Sequence, residues 1–362
     1  MADLTKKKFS IGSIWRDYSY IFVMVIIIIG YAITVSANGV VFKWSHIAAI
    51  LGSQNTCIVG TMALGMALVV ITGNIDLSLG SGLVLCTGVC ILVYNVTGSG
   101  ILMLLSAIVA GALCGLINGI LIGLAKMQAF IATLGTMLIY RSLTLSVVRA
   151  IPQEISGSNS SQFAMIAGSP TYEFLRKKFG TGKIGFGDFS IPWITLLFVA
   201  LAIVIIIMSK KTKFGKSVYA VGSNANAARL AGINVTGVKI LVFVITGILV
   251  GFASFIQACK IGNITPASSG QSYEMYAVAA IVLGGISMSG GKGNLVGIIF
   301  GAISYSAINF IIVSIPALSV DIQNAFQGLV LIVVILVQTL GPIFKEKINT
   351  AKKRKAALAA EA

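Results

Sequence analysis

Charged residues are scarce in this chain of 362 residues: 10% are Asp, Glu, Lys or Arg, whereas 57% are hydrophobic. Soluble domains carry about 25% charged and about 45–50% apolar residues. The mean hydropathy of +0.98 therefore excludes a water-soluble enzyme, a disordered chain and a nucleic-acid-binding domain. The apolar residues suffice for about ten spans of about 20 residues each. The composition predicts an all-α integral membrane protein.

Histidine, cysteine and acidic residues are also few, which limits the chemistry. The only histidine, His46, is expected at the outer membrane interface, which disfavours a Ser-His hydrolytic site, and the five cysteines lack metal-ligand spacing. Three acids lie within or near the apolar runs, namely Asp76, Glu274 and Asp321. This is too few for the ladder of acids and histidines of a proton-coupled pump. We expect neither a metal site nor a catalytic residue in this chain.

The apolar runs predict ten membrane spans in a single transmembrane domain: 19–37, 47–72, 79–96, 101–125, 127–148, 191–208, 238–259, 275–289, 294–315 and 322–343. Lys and Arg outnumber Asp and Glu by 26 to 10, and most of them fall between spans on the side of the N-terminus. This bias predicts a multi-pass inner-membrane protein with both termini cytoplasmic and with basic residues on lipid head groups. Residues 1–18, 209–237 and the basic tail 344–362 are then cytoplasmic, and the loop 149–190 is periplasmic.

Two glycine-rich segments interrupt apolar runs in the two halves of the chain. Residues 71–82 and 282–293 align at a constant offset of 211 and share Gly, Ile and Ser positions. Paired interruptions of this kind point to a transport pathway between pseudo-repeated halves with broken or re-entrant helices. The candidate pathway residues are polar residues in or near these segments: Asn74, Asp76, Ser78, Glu274, Ser287 and Ser289.

Two interpretations of Asp76 stay open. Its carboxylate could line the pathway, or it could serve as a structural cap at a helix end. Both need neighbouring N–H groups and hydroxyls, so the sequence does not separate them.

A nucleotide-binding loop is missing. Gly290-Gly291-Lys292-Gly293 looks similar to one, but Ile286 and Gly293 stand where such a loop needs Gly and Ser or Thr. If ATP and Mg²⁺ drive this protein, we expect them on another chain.

The segment 209–237 predicts a short cytoplasmic helix. Ser223 and Asn224 are candidate N-caps for a helix through 225–231, and Gly232 suits the position after its C-cap. An alternative is an interfacial helix that the lysines of 210–216 hold on anionic lipid. That alternative explains the lysines but not the small residues of the helix, which favour close contact with a protein.

Four segments in this order, namely 72–81, 128–135, 214–233 and 273–293, resemble permease subunits of bacterial ABC importers for monosaccharides (the ribose, xylose and galactose branch). The resemblance extends over nearly the whole chain. It implies that the short cytoplasmic helix is the coupling helix, which docks on a separate ABC ATPase through Asn224, Asn226, Ala227, Ala228, Arg229, Gly232 and Ile233. It also implies a second permease chain, with a homodimer expected, and a periplasmic sugar-binding protein.

Under the predicted topology the loop 149–190 faces that binding protein. Arg176, Lys177, Lys178 and Lys183 are the candidate docking residues, and a solvated run of charges is the alternative. The sequence departs from the family pattern at Asn74, Tyr276, Ser223 and Asn226, which puts a charge role at Tyr276 and a generic ATPase partner in doubt.

The predicted function is import of a ribose-like pentose or a hexose, without an ATPase site in the chain itself. The alternatives are a permease for nucleosides or polyols and a self-sufficient secondary transporter. The scarcity of ion-coupling acids and the coupling-like helix oppose the latter.

The topology is testable with reporter fusions at Ser158 and Ser223. Because an odd number of predicted spans separates them, the two fusions should report opposite sides of the membrane. Signals from the same side would contradict the ten-span topology.

Overall fold

The computed structural model describes residues 11–158, 161–186 and 189–315, with isolated positions between 322 and 350. The helices are α1 (Ile11–Ala37), α2 (Trp44–Leu51), α3 (Gly60–Ile71), α4 (Leu79–Thr97), α5 (Gly100–Gly123), α6 (Ala129–Ala150), α7 (Gln153–Ser156), α8 (Pro170–Leu175), α9 (Trp193–Lys211), α10 (Lys213–Ser223), α11 (Ala225–Leu230), α12 (Val235–Ile261), α13 (Tyr273–Leu283) and α14 (Val296–Val313). Two π-helical turns, Asn55–Val59 and Arg176–Thr181, precede α3 and follow α8.

The predicted all-α membrane fold is confirmed. In the described part of the chain seven helices are long and apolar enough to cross a membrane, namely α1 from Ser19 onward, α4, α5, α6, α9, α12 and α14. Helices α2 and α3 count as an eighth span, bent by 45° at its break. The predicted continuous span 47–72 is therefore broken.

Within the described residues the count is seven spans, or eight with the bent pair, so the expected total of about ten is not confirmed. Helix α13 replaces the predicted span 275–289, and its 11 residues extend about 16 Å, about half of the hydrocarbon thickness of about 30 Å. It is followed by a glycine-rich loop, as expected for a helix that enters the membrane without crossing it. The predicted span 322–343 and the tail 344–362 lie largely outside the described residues, as do residues 1–10.

Helix α3 lies at the centre of the bundle. Each of its residues is buried, and it packs against α9, α12, α13 and α14. A helix that is apolar on all sides is stable only when protein or lipid surrounds it, and here protein surrounds it. In the loop after α3, Asp76 and Ser78 are buried as well, whereas Gly73 is exposed.

Helices α5 and α12 approach through glycine. In α5 glycine recurs at every fourth residue, at Gly111, Gly115, Gly119 and Gly123. A Cβ atom on Gly111 would fall on the carbonyl oxygen of Gly247 in α12, and a Cβ on Gly247 would fall on that of Gly111. This is the small-xxx-small arrangement by which membrane helices gain van der Waals contact without a hydrophobic driving force.

Short strands join the outer loops. Strand β1 (Phe163–Ala164) pairs with β4 (Asn263–Ile264), and β2 (Lys183–Phe186) forms an antiparallel hairpin with β3 (Phe189–Pro192). The segment after α6 is therefore anchored to the end of α12.

The glycine contact predicts a position-specific effect in α5. Gly111→Ala should lower the free energy of unfolding by about 1–3 kcal/mol, because the added Cβ overpacks the contact with Gly247. Detergent-induced unfolding of the purified chain measures this.

The matched control is Gly135→Ala in α6, where a Cβ would meet no atom within 4 Å. It should leave stability unchanged or raise it slightly through helix propensity. Equal losses in the two variants would contradict the close approach of α5 and α12.

Candidate functional site

The two glycine-rich interruptions end their helices in the same way. Helices α3 and α13 both finish in a Schellman motif, in which Gly73 and Gly285 have φ of +78° and +79°. The backbone hydrogen bonds of the two motifs are 2.9–3.1 Å long. These equivalent glycines are separated by 212 residues, one more than the offset of the sequence match. After them the match is not kept, because α4 begins at Leu79 but α14 only at Val296.

The two loops contact each other directly. The N–H of Gly291 donates to the carbonyl oxygen of Ile71, the last residue of α3, at 2.8 Å. A Cβ on Gly290 would lie 3.2 Å from the Cα of Gly73. The structure thus brings the two predicted pathway interruptions into one junction.

The end of α10 is the third member of this junction. A Cβ on Gly222 would fall on the carbonyl oxygen of Ile71 and 2.8 Å from the N of Gly291. The hydroxyl of Tyr219 donates to the carbonyl oxygen of Gly293 at 3.0 Å. A tyrosine hydroxyl is protonated at neutral pH even without a shift, and burial raises the pKa of Tyr219 further. The segment 209–237 therefore touches both interruptions.

Asp76 is buried in a chain of hydrogen bonds. Its Oδ1 accepts from the N–H of Ser78 at 2.9 Å and from its hydroxyl at 2.6 Å. Ser78 Oγ in turn accepts from Asn118 Nδ2 at 2.8 Å, and Asn118 Oδ1 accepts from the hydroxyl of Thr136 at 2.8 Å. The chain ties the loop 72–78 to α5 and α6.

The space beside Asp76 is small. It borders a cavity of only about 10 Å³, which holds at most about one water molecule. In this conformation Asp76 therefore braces a loop and does not face an open passage.

The other predicted pathway residues lie in the two loops and in the first turn of α13. Asn74 Nδ2 donates to the hydroxyl oxygen of Thr72 at 3.0 Å, within the Schellman loop. Ser287 and Ser289 lie in the loop 284–295, where Ser289 is exposed. Glu274 is half-buried in the first turn of α13. Of the six residues, Asp76 and Ser78 border one cavity and Glu274 borders another.

The short helix predicted through 225–231 is confirmed as α11, which ends at Leu230. Asn224 is its N-cap, and its Oδ1 accepts from the N–H groups of Asn226 and Ala227, both at 3.0 Å. Gly232 follows the C-cap with φ of +81°. Of the two candidate N-caps, Asn224 and not Ser223 fills the position.

The exposed surface of α11 and the residues after it differs from the predicted docking set at Ala228, Leu230 and Ile233, of which Ile233 packs against the hydrophobic core. Asn226, Ala227 and Arg229 are exposed, but Ala228 is buried against the body of the protein. Leu230 was missed by sequence reasoning, although its side chain is 91% exposed. The sequence could have revealed Leu230, because it is an apolar residue that does not lie on the same face of the helix as Ala228.

The four predicted docking cations on the outer loop do not form one set. Arg176 Nη1 donates to the carbonyl oxygens of Cys259 and Lys260 at 3.2 and 2.7 Å, and so caps the end of α12. Lys178 Nζ lies 4.9 Å from the ring centroid of Trp193. Lys177 and Lys183 are exposed. Two of the four cations are thus engaged within the chain.

Residues 47–335 match the profile of a protein family described as branched-chain amino acid transport system / permease component. The ribose import permease protein of Bacillus subtilis is 36% identical over 78% of this chain and 82% of its own length. That of Haemophilus influenzae is 33% identical over 88% and 91%.

The galactose/methyl galactoside import permease protein of Haemophilus influenzae is 36% identical over 58% of each chain. No solved structure matches the chain. The expected similarity to monosaccharide import permeases is confirmed. Because the family profile covers most of the chain, we conclude that the chain belongs to this permease family of multi-pass membrane proteins.

Proposed function

We propose that this chain is the membrane subunit of an ATP-driven importer for a monosaccharide, a ribose-like pentose or a hexose. The observation that carries the proposal is the junction at Ile71, where the segment 209–237 touches both glycine-rich loops. The named relatives, which are ribose and galactose import permeases, support the solute class.

The junction is suited to pass a movement of the ATPase to the two glycine-rich loops. A separate ABC ATPase, which binds ATP and Mg²⁺, docks on the exposed face of α11. Its movement is passed through α10, because Gly222 is packed against Ile71 without an intervening side chain. Both loops then shift together, and access changes from the outside to the cytoplasm. Asn74, Ser287 and Ser289 belong to the moving loops in this proposal.

The assembly we propose contains a second copy of this chain, the ATPase and a periplasmic sugar-binding protein. Lys177 and Lys183 are the docking cations that remain exposed for the binding protein. Both termini are cytoplasmic in the inner membrane, in keeping with the excess of Lys and Arg.

Leu230 provides the direct test of coupling. When the tagged chain is purified gently from its native membrane, a P-loop ATPase should co-purify in near-stoichiometric amount. Leu230→Asp should lower that amount at least tenfold, because an exposed apolar anchor of an interface contributes about 2 kcal/mol or more. Quantitative mass spectrometry of the purified material measures the ratio.

Leu230→Met is the matched control, since it keeps the apolar surface and should retain the ATPase. Both variants should insert into the membrane equally. A chain that purifies alone and moves solute in liposomes would contradict the proposal and indicate a secondary transporter.

For Asp76 we propose a structural role, because its hydrogen bonds hold the loop 72–78. Asp76→Ala should lower expression and uptake together, since Ser78 loses its buried acceptor at a cost of about 1–3 kcal/mol. Asp76→Asn keeps an oxygen at this position and should be milder. An Asp76→Ala protein with full expression but little uptake would favour the pathway interpretation.

A further inference from the structure

A second cavity, of about 470 Å³, lies between α6, the first turn of α4 and residues 271–274. Its polar lining consists of Ser81, Arg141, Ser142, Gln271, Ser272 and Glu274. The volume is within the range of pockets that bind small molecules. It equals about fifteen times the volume of one water molecule in the liquid, which is more than a pentose or hexose needs. This cavity is separate from the small space beside Asp76.

The cavity contains two opposite charges inside a membrane domain. Arg141 lies within the span α6, where Nη1 donates to the carbonyl oxygens of Pro266 and Ser269 at 2.7 and 2.9 Å. Its other N–H groups donate to none of the described residues. Glu274 interacts electrostatically with Arg141 and with its own backbone N–H. No hydrogen bond joins the two side chains within the described residues, so each keeps unused hydrogen-bonding capacity.

Charged side chains are costly inside a membrane and indicate a functional site. Neutral side chains of the cavity also have unused hydrogen-bond donors and acceptors. The hydroxyls of Ser142 and Ser272 have no hydrogen-bond partner within the described part of the chain. Gln271 uses its Nε2 on the carbonyl oxygen of Ala267 at 2.8 Å, which leaves its Oε1 free as an acceptor.

The position of the Glu274 carboxylate depends on a close approach. A Cβ on Gly80 would fall on the carbonyl oxygen of Gly270 and 2.8 Å from Glu274 Oε2. The carboxylate therefore lies at the first turn of α4, where the helix dipole stabilises a negative charge. Because α4 begins where the loop 72–78 ends, the cavity and the junction at Ile71 lie at the two ends of one loop.

We infer that this cavity binds an uncharged polyhydroxylated solute, the monosaccharide in transit. The inference rests on the proposed function. Arg141 can only donate hydrogen bonds and ionised Glu274 can only accept them, whereas a sugar hydroxyl does both. One sugar can therefore satisfy both groups at once. Because the charges of Arg141 and Glu274 cancel, the cavity does not favour an ion over a neutral solute. The apolar side chains of Leu138 and Leu145 suit the C–H faces of a sugar ring.

Protection of introduced cysteines tests this site. The five native cysteines are all buried, so a thiol reagent that does not enter the membrane reacts little with them. Ser142→Cys and Ser272→Cys are prepared in the complete transporter, in proteoliposomes with its ATPase and binding protein. The rate of methanethiosulfonate labelling is measured with D-ribose, with D-galactose and with L-glutamate.

The transported sugar should slow labelling at both positions at least threefold, and L-glutamate should not. The control is Thr97→Cys at the exposed end of α4, where sugar should have no effect. If sugar is taken up but protects neither position, the cavity is not the sugar site, and the proposed function stands. If the unmodified complex takes up no monosaccharide, the proposed function fails, and this inference fails with it.

A second variant tests the acceptor. Glu274→Gln keeps one acceptor oxygen but replaces the other with an NH2 group and removes the charge. It should raise the apparent KM for sugar uptake about tenfold, the effect of losing one hydrogen bond to a charged group. ATPase stimulation by the binding protein should be retained, which a merely unfolded variant would not do. The matched control is Glu173→Gln on the exposed surface of α8, and an equal KM for both variants would overturn the role of Glu274.

Discussion

The contact on which the rest of the structure depends is the hydrogen bond from the N–H of Gly291 to the carbonyl oxygen of Ile71. Ile71 ends a helix that is buried on all sides, so its carbonyl would otherwise lack a hydrogen-bond partner inside the protein, where this is costly. The second half of the chain supplies the donor. Gly222 at the end of α10 packs against the same carbonyl. One backbone group thus connects both halves and the segment 209–237.

Glycine residues make the close backbone contacts of this structure possible, both between helices and at helix ends. Between α5 and α12 glycine lets backbones touch, and the close packing between Gly111 and Gly247 fixes the two helices against each other. At the ends of α3 and α13, Gly73 and Gly285 reverse the chain with positive φ. A frame of close-packed helices around two short broken ones is consistent with a protein that changes access without unfolding.

Much of the fold was predictable from local sequence. The long apolar runs, the short helix with Asn224 before it and Gly232 after it, and the family resemblance all depend on neighbours in the chain. The pairing of the halves was only partly predictable. The match at offset 211 placed Gly73 opposite Gly284, whereas the structure aligns it with Gly285, because a match of glycines does not reveal which one adopts positive φ.

By itself, the sequence determined that this chain is a multi-pass helical membrane protein of the permease family, since hydropathy, charge bias and caps are local properties. Tertiary structure alone decided the roles of single polar residues. In the structure Asp76 is hydrogen-bonded through Ser78 to Asn118 and Thr136, and Arg176 caps the end of α12. Leu230 is exposed, and Arg141 and Glu274 line the same cavity. These pairings join distant segments, and the physical reason is that a buried polar group takes whichever partner the fold brings within hydrogen-bond distance.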